Sequence, residues 1–173
     1  MSTLPIRILA VIGVVAAGGA FALWSGSGAA EAEAESAAAS TPATQTISEL
    51  PLDRGYYVRT DATCATASNA TTALLRRDGL YWSSSFTKFA KIEQTGPTTF
   101  RTIQVGGDIR YGVPPTPIPD ELLASAATAE WTITDRRSFS FVTNEGWEHE
   151  ARLCAQRDMP ADFRSNNIAE LIK

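Results

Sequence analysis

The sequence predicts a mainly β domain: a small antiparallel meander that closes into a barrel or a sandwich, with one or two short helices. Three observations carry this reading. Aromatic and β-branched residues mix with charges only from Ile47 onward. The runs they form are short, and several alternate apolar with polar residues, the period of a half-buried strand. The links between runs are also short, which forces neighbouring strands to be antiparallel.

The chain before that domain reads differently. MSTLPIR is followed by an uncharged apolar run of 17 residues, Ile8 to Trp24. A weakly basic start and an apolar run make an export signal. Its length lies between the usual signal core of about 7–15 residues and the roughly 17–25 of a spanning helix. Two fates therefore stand: cleavage, with small residues at Ala20-Phe21-Ala22 and Gly28-Ala29-Ala30, or retention as an inner-membrane tether through residues 8–24. No Cys follows the run, which excludes a lipoprotein anchor. Residues 25–46 read as a disordered acidic spacer. Glu31, Glu33 and Glu35 are spaced by two and leave no helical apolar stripe, and too little apolar surface is present to offset ordering. The β-rich exported domain then spans 47–173.

Within it, GYYVR (Gly55 to Arg59) is the first strand. Thr72 to Arg77 and Leu80 to Ser84 flank Asp78-Gly79, a dipeptide suited to a two-residue hairpin turn. Phe86 to Glu93 and Thr98 to Val105 flank Thr95-Gly96-Pro97. Gly106-Gly107-Asp108 is expected to turn the chain into a further strand, IRYGV. The prolines of VPPTPIPD prevent regular pairing, and Asp120 can cap a short helix reaching about Ala129. Trp131 to Thr134 alternates, Asp135-Arg136 suits a tight turn, and Phe139 and Phe141 share a face. Asn144-Glu145-Gly146 leads into WEHEARLCA, which places Trp147, His149, Ala151 and Leu153 on one side. MPADFRSNNIAELIK permits a last short helix.

Two cysteines, Cys64 and Cys154, in an exported chain read as one disulfide. Replacing both would cost a few kcal/mol, since a loop of about 90 residues is closed.

The chemistry-bearing residues argue against most activities. The net charge is −4 and the only basic doublets are Arg76-Arg77 and Arg136-Arg137, so nucleic-acid binding, which needs a concentrated basic surface, is not expected. His149 is the single histidine; no nucleophile-base constellation or metal-ligand spacing surrounds it. No glycine-rich loop precedes a helix to cradle phosphate. No catalytic residue, metal or cofactor is therefore expected. Glu148 and Glu150 share a strand face, with Cα atoms about 6.5–7 Å apart at normal strand rise. Paired carboxylates can hydrolyse glycosides, but this spacing is also that of any solvent face. The aromatics are more suggestive. Tyr57, Tyr81, Trp82 and Trp147, with His149, form a candidate binding patch if they face outward together, and ordinary core if they do not.

The phrases GYYVRTDATCATASNATTALLRRDGLYW, FAKIEQTG and WEHEARLC, followed by MPADFR, resemble small exported proteins of Gram-negative bacteria built from a signal, a spacer and one β-domain. The resemblance covers about Gly55 to Arg164 and lies in phrase and order. It implies a periplasmic β-domain. Such proteins often carry a second cysteine pair in the middle; this chain does not, leaving its middle hairpins to packing. The architecture is also similar to periplasmic lysozyme inhibitors, which are disulfide-tied β-barrels. The domain holds no inhibitory loop of that family, and SGSGA at Ser25 to Ala29 falls in the spacer. No functional residue transfers. The expected function is an exported, non-catalytic binding or inhibitor module for a protein or glycan of the cell envelope. The alternatives are a small glycan-acting enzyme and a structural envelope protein.

Overall fold

A computed structural model describes residues 44–173. The expected export segment, residues 1–24, and residues 25–43 of the expected spacer lie outside the described residues. Among the described residues no helix is long and apolar enough to cross a membrane.

Nine strands form one antiparallel sheet: β1 (Gln45–Ile47), β2 (Gly55–Arg59), β3 (Thr72–Arg76), β4 (Gly79–Tyr81), β5 (Ser85–Gln94), β6 (Thr99–Asp108), β7 (Ala127–Asp135), β8 (Ser138–Thr143) and β9 (Glu148–Cys154). From β2 to β9 each strand pairs with the next, and β9 returns to β2 through Tyr56↔Cys154, Tyr57↔Leu153 and Val58↔Arg152. The meander is therefore a closed barrel of eight strands and not a sandwich. Closure removes the two edges that an open meander would expose. β1 pairs with the far end of β5, Gln45↔Gln94 to Ile47↔Ile92. The folded region thus starts two residues before Ile47. Two short helices complete it, α1 (Asp120–Leu123) and α2 (Ala161–Arg164).

Alternation decides the inside. Residues directly opposite on paired strands share a face, and the inward set joins one core: Tyr57, Leu75, Leu80, Phe100, Trp131, Phe139, Phe141 and Ala151 among others. The aromatics interlock there. Trp131 lies 4.5 Å from Phe141 and 4.9 Å from Phe139 between ring centroids, contacts that add about 0.5–1.5 kcal/mol each beyond burial. The interior is filled by side chains. Three of its polar members form a chain: Trp131 Nε1 donates to Thr102 Oγ1 at 3.0 Å, and Thr102 donates to Gln104 Oε1 at 3.0 Å.

A second apolar cluster lies on the outer face of β2 and β9, where Tyr56, Val58 and Cys154 are covered by Ala67, Met159 and Ile168. Cys64 and Cys154 are disulfide-bonded there, with Cα atoms 5.7 Å apart. The bridge pins the β2–β3 connection against the last strand.

Five local expectations need correction. The first hairpin turn is Arg77-Asp78, because Arg76 pairs with Gly79. Gly79 belongs to β4 and passes so close to β5 that a Cβ would meet the Thr87 carbonyl oxygen at 2.1 Å. Trp82 to Ser84 lie beyond β4, in the link to β5. Gly106 and Gly107 do not turn the chain; they extend β6, Gly107 leaving room for the Phe86 ring, which a Cβ would approach to 2.9 Å. IRYGV accordingly forms a single 3-10 turn, Ile109–Tyr111, and no strand. The helix from Asp120 stops at Leu123, with Pro119 as a cap that makes no side-chain bond. Ala127 to Ala129 are drawn into β7 by pairing with Gln104 to Thr102. The Asp135-Arg136 turn is displaced by one residue: Asp135 pairs with Ser138, and Arg136-Arg137 form the turn.

Candidate functional site

In a closed meander alternate connections emerge at the same end. The β2–β3, β4–β5, β6–β7 and β8–β9 connections all leave their strands at one mouth of the barrel; the β2–β3 and β6–β7 connections then run back along the wall, Cys64 reaching Cys154 and the Pro114 carbonyl accepting from Lys88 Nζ at 2.8 Å. Of the exposed large apolar side chains, Ile109, Tyr111, Val113, Leu122 and Leu123 belong to the β6–β7 connection and Trp147 to the β8–β9 connection. Tyr111 is 89% exposed and Trp147 49%.

Three of the five expected patch residues meet at this mouth. The Trp82 and Trp147 rings are 6.1 Å apart, edge to face. His149 lies beneath both, 6.2 Å from Trp82 and 5.4 Å from Trp147. Tyr57 does not join them. It is fully buried at the core, and its hydroxyl donates to the carbonyls of Asp53 at 2.8 Å and Arg136 at 3.1 Å. Burial pushes its phenol well above the ordinary tyrosine value. Tyr81 faces the outer wall, because its neighbour Leu80 points inward. There the Arg76 guanidinium stacks 4.3 Å from its ring, and its hydroxyl bonds Asp78. Burial and the Asp78 carboxylate push its phenol up to about 12.

Beside the two indoles runs a cleft of about 820 Å³. Its wall includes Asn69, Ser83, Ser84 and Thr87 as well as Trp82 and Trp147. Among the described residues no charged side chain lines it. Sequence reasoning missed these polar members, since Ser83 and Ser84 read as the tail of a strand. A run of three serines after a tryptophan was the available signal.

His149 has the most unusual environment. It is 8% exposed, packed 5.5 Å from Phe141 and 5.9 Å from Phe139. Its Nε2 is buried without a hydrogen-bond partner among the described residues. Desolvation, with a smaller contribution from Arg59, lowers its pKa to about 4. The ring is neutral at pH 7, in an aromatic setting that disfavours charge. Among the described residues no carboxylate is paired with it to orient it as a base.

Glu148 and Glu150 stand on the opposite, outer face of β9, both exposed. They border a shallow depression of about 420 Å³ with Arg59 and Asp61. A larger groove of about 610 Å³ runs along the outer wall near β1. Three of its four cations are already engaged, Arg76 with Asp78, Lys91 with Glu93, and Lys173 with Glu170, while Arg77 makes no ion pair among the described residues. Among the described residues no group of three or more His, Cys, Asp or Glu side chains could hold a metal ion.

The fold and mouth define the class: a small, disulfide-tied, up-and-down β-barrel with a filled interior and an aromatic open end. No known family, no curated protein and no solved structure matches the chain.

Proposed function

We propose that this protein is an exported, non-catalytic binding module of the cell envelope that engages its ligand at the open end of the barrel, over Trp82 and Trp147. The observation that carries the reading is the half-exposed Trp147 ring set against Trp82 at the edge of an uncharged cleft. Aromatic groups kept at a surface mark binding sites more often than scattered aliphatic ones do. The interior is occupied by its own aromatics, so the ligand binds on the end of the barrel. The glycan-hydrolysing alternative has less to rest on. Its two carboxylates share one outer strand face, whereas flanking a scissile bond requires groups converging from two sides. Export rests on the apolar run from Ile8 to Trp24.

The chain has four tryptophans, which supply the test. Indole N–H resonances of the full chain are followed by NMR as fractionated envelope extract is added. Binding at the mouth shifts Trp82 and Trp147 and leaves the core Trp131 unmoved. If no fraction moves either mouth indole, the reading is wrong.

A further inference from the structure

The mouth cleft also indicates what kind of ligand it takes. We infer that the cleft beside Trp82 and Trp147 accepts a neutral sugar segment, one pyranose ring lying on the Trp147 indole with its hydroxyls bonded to Asn69, Ser83, Ser84 and Thr87. The inference rests on the binding-module reading and narrows it to a ligand class.

Three properties of the site lead there. The first is charge. Among the described residues no Asp, Glu, Lys or Arg lines the cleft, so nothing in it would recompense an ionic ligand for its lost hydration. The second is the supply of polar groups. Among the described residues the side chains of Asn69, Ser83, Ser84 and Thr87 share no hydrogen bond with Trp82 or Trp147, whose mutual contact is through their rings. Hydroxyls and a carboxamide each both donate and accept, which is the pairing that sugar hydroxyls require. The third is shape. The planar Trp147 indole is 49% exposed, and its ring lies 6.1 Å from that of Trp82 with the planes at 64°. A flat apolar face bordered by uncharged donor–acceptor groups matches a pyranose, which carries C–H groups on its faces and hydroxyls around its rim. A peptide also donates and accepts through its backbone amides, so it is the competing ligand that the experiment includes. An anionic or cationic ligand would find no counter-charge.

The experiment titrates the full chain with neutral tetrasaccharides of glucose, mannose and N-acetylglucosamine, with a cationic glucosamine tetramer, and with a neutral peptide rich in Leu and Phe. The readout is the indole N–H resonances of Trp82 and Trp147, with Trp131 as internal control. The expected result is a saturable shift of both mouth indoles with at least one neutral sugar. Its affinity falls tenfold or more in Trp147→Ala and at most threefold in Trp147→Phe, which keeps a flat ring. The glucosamine tetramer binds at least tenfold more weakly than its N-acetylated counterpart. Should the peptide move the mouth indoles while none of the neutral sugars does, the sugar assignment is overturned and the binding-module reading stands. Should neither sugars, peptide nor envelope fractions move them, both fail. An intact Trp131 resonance and an unchanged amide spectrum establish that each variant is folded.

Discussion

The two ends of the barrel are finished differently. At the end away from the mouth, the segment between β1 and β2 folds inward, and Leu50 and Leu52, each 6% exposed, complete the core. Polar contacts then lock this plug. The Asp53 N–H donates to the Arg136 carbonyl at 2.7 Å, the Arg136 guanidinium meets the Asp53 carboxylate at 2.8 Å, and Arg54 bonds Glu49 and the Ile172 carbonyl. At the mouth no comparable plug exists among the described residues. Trp147 is half in solvent, and His149 Nε2 goes unpaired among the described residues. One end is built for stability. The other carries the groups whose polar or apolar needs are incompletely met within the chain, as ligand-binding regions commonly do.

The disulfide runs between these regimes and gives the largest expected effect. Cys154 ends β9, and Cys64 belongs to the β2–β3 connection that also carries Asn69 to the mouth. Replacing both cysteines with Ser should lower unfolding free energy by about 4 kcal/mol, as expected when a loop of about 90 residues is released. The loss should be uneven. Amide exchange should accelerate most in residues 60–71, and the plugged end should change least. Denaturant midpoints and exchange rates measure both. A uniform acceleration would break the distinction between the ends.

The plug itself comes next. Leu52→Ala removes a buried side chain from a closed end with little room to collapse, and about 3 kcal/mol should be lost. A urea midpoint shifted by less than 1 kcal/mol equivalent would show that the N-terminal segment merely covers the barrel.

Much of this architecture was legible. The strand positions followed from alternation, and the outward Glu148 and Glu150 and inward His149 and Ala151 fell as the pattern required. The bridge followed from cysteine count. Less was legible where one residue type serves two purposes. Gly106 and Gly107 resembled a turn because glycine usually breaks strands, but here both extend β6 and Gly107 admits the Phe86 ring. Ala127 to Ala129 resembled helix because alanine favours it, yet sheet pairing overrode propensity. The patch was only partly visible. Tyr57 and Tyr81 have strand neighbours as aromatic as those of Trp147, and only barrel closure decides which of them reaches the mouth. The β1–β2 plug was not anticipated, since Leu50 and Leu52 sit among Pro, Asp and Glu and make no periodic run.

The unpaired imidazole makes the mouth sensitive to acid. His149 titrates near 4 in the folded protein and near 6.5 when unfolded. Between those values the unfolded chain binds more protons, so stability falls as pH drops from about 6.5 to 4 and is fully present above that window. Allowing for partial solvent screening, about 2 kcal/mol should be lost. Glu49, Asp108 and Asp135 also have lowered pKa values, from hydrogen bonds to Arg54, Arg110 and Ser138 respectively, and they weaken the fold at still lower pH. The clean measurement is therefore the difference between the wild type and His149→Phe, which should be pH-independent above 7 and move in the variant's favour towards pH 4. Because the chain has one histidine, its NMR titration is unambiguous. A midpoint near 6.5 would remove the argument.

The smallest stability effect is expected at Trp147, and that is what gives it diagnostic value. The ring is half exposed, and what it buries is mainly contact with Phe141 at 5.2 Å, His149 and Trp82. Trp147→Ala should therefore cost about 1 kcal/mol, the scale of a surface aromatic pair, against about 3 for Leu52→Ala at the closed end. Phe141 and Trp131, which lie deeper, keep their packing. Loss of binding with so small a loss of stability would separate the two roles: a ring that is held in place by the fold but contributes little to it. If Trp147→Ala instead destabilised the chain by as much as Leu52→Ala, the indole would be the mouth's own plug. The two ends would then be sealed alike, and the aromatic mouth would owe its composition to folding alone.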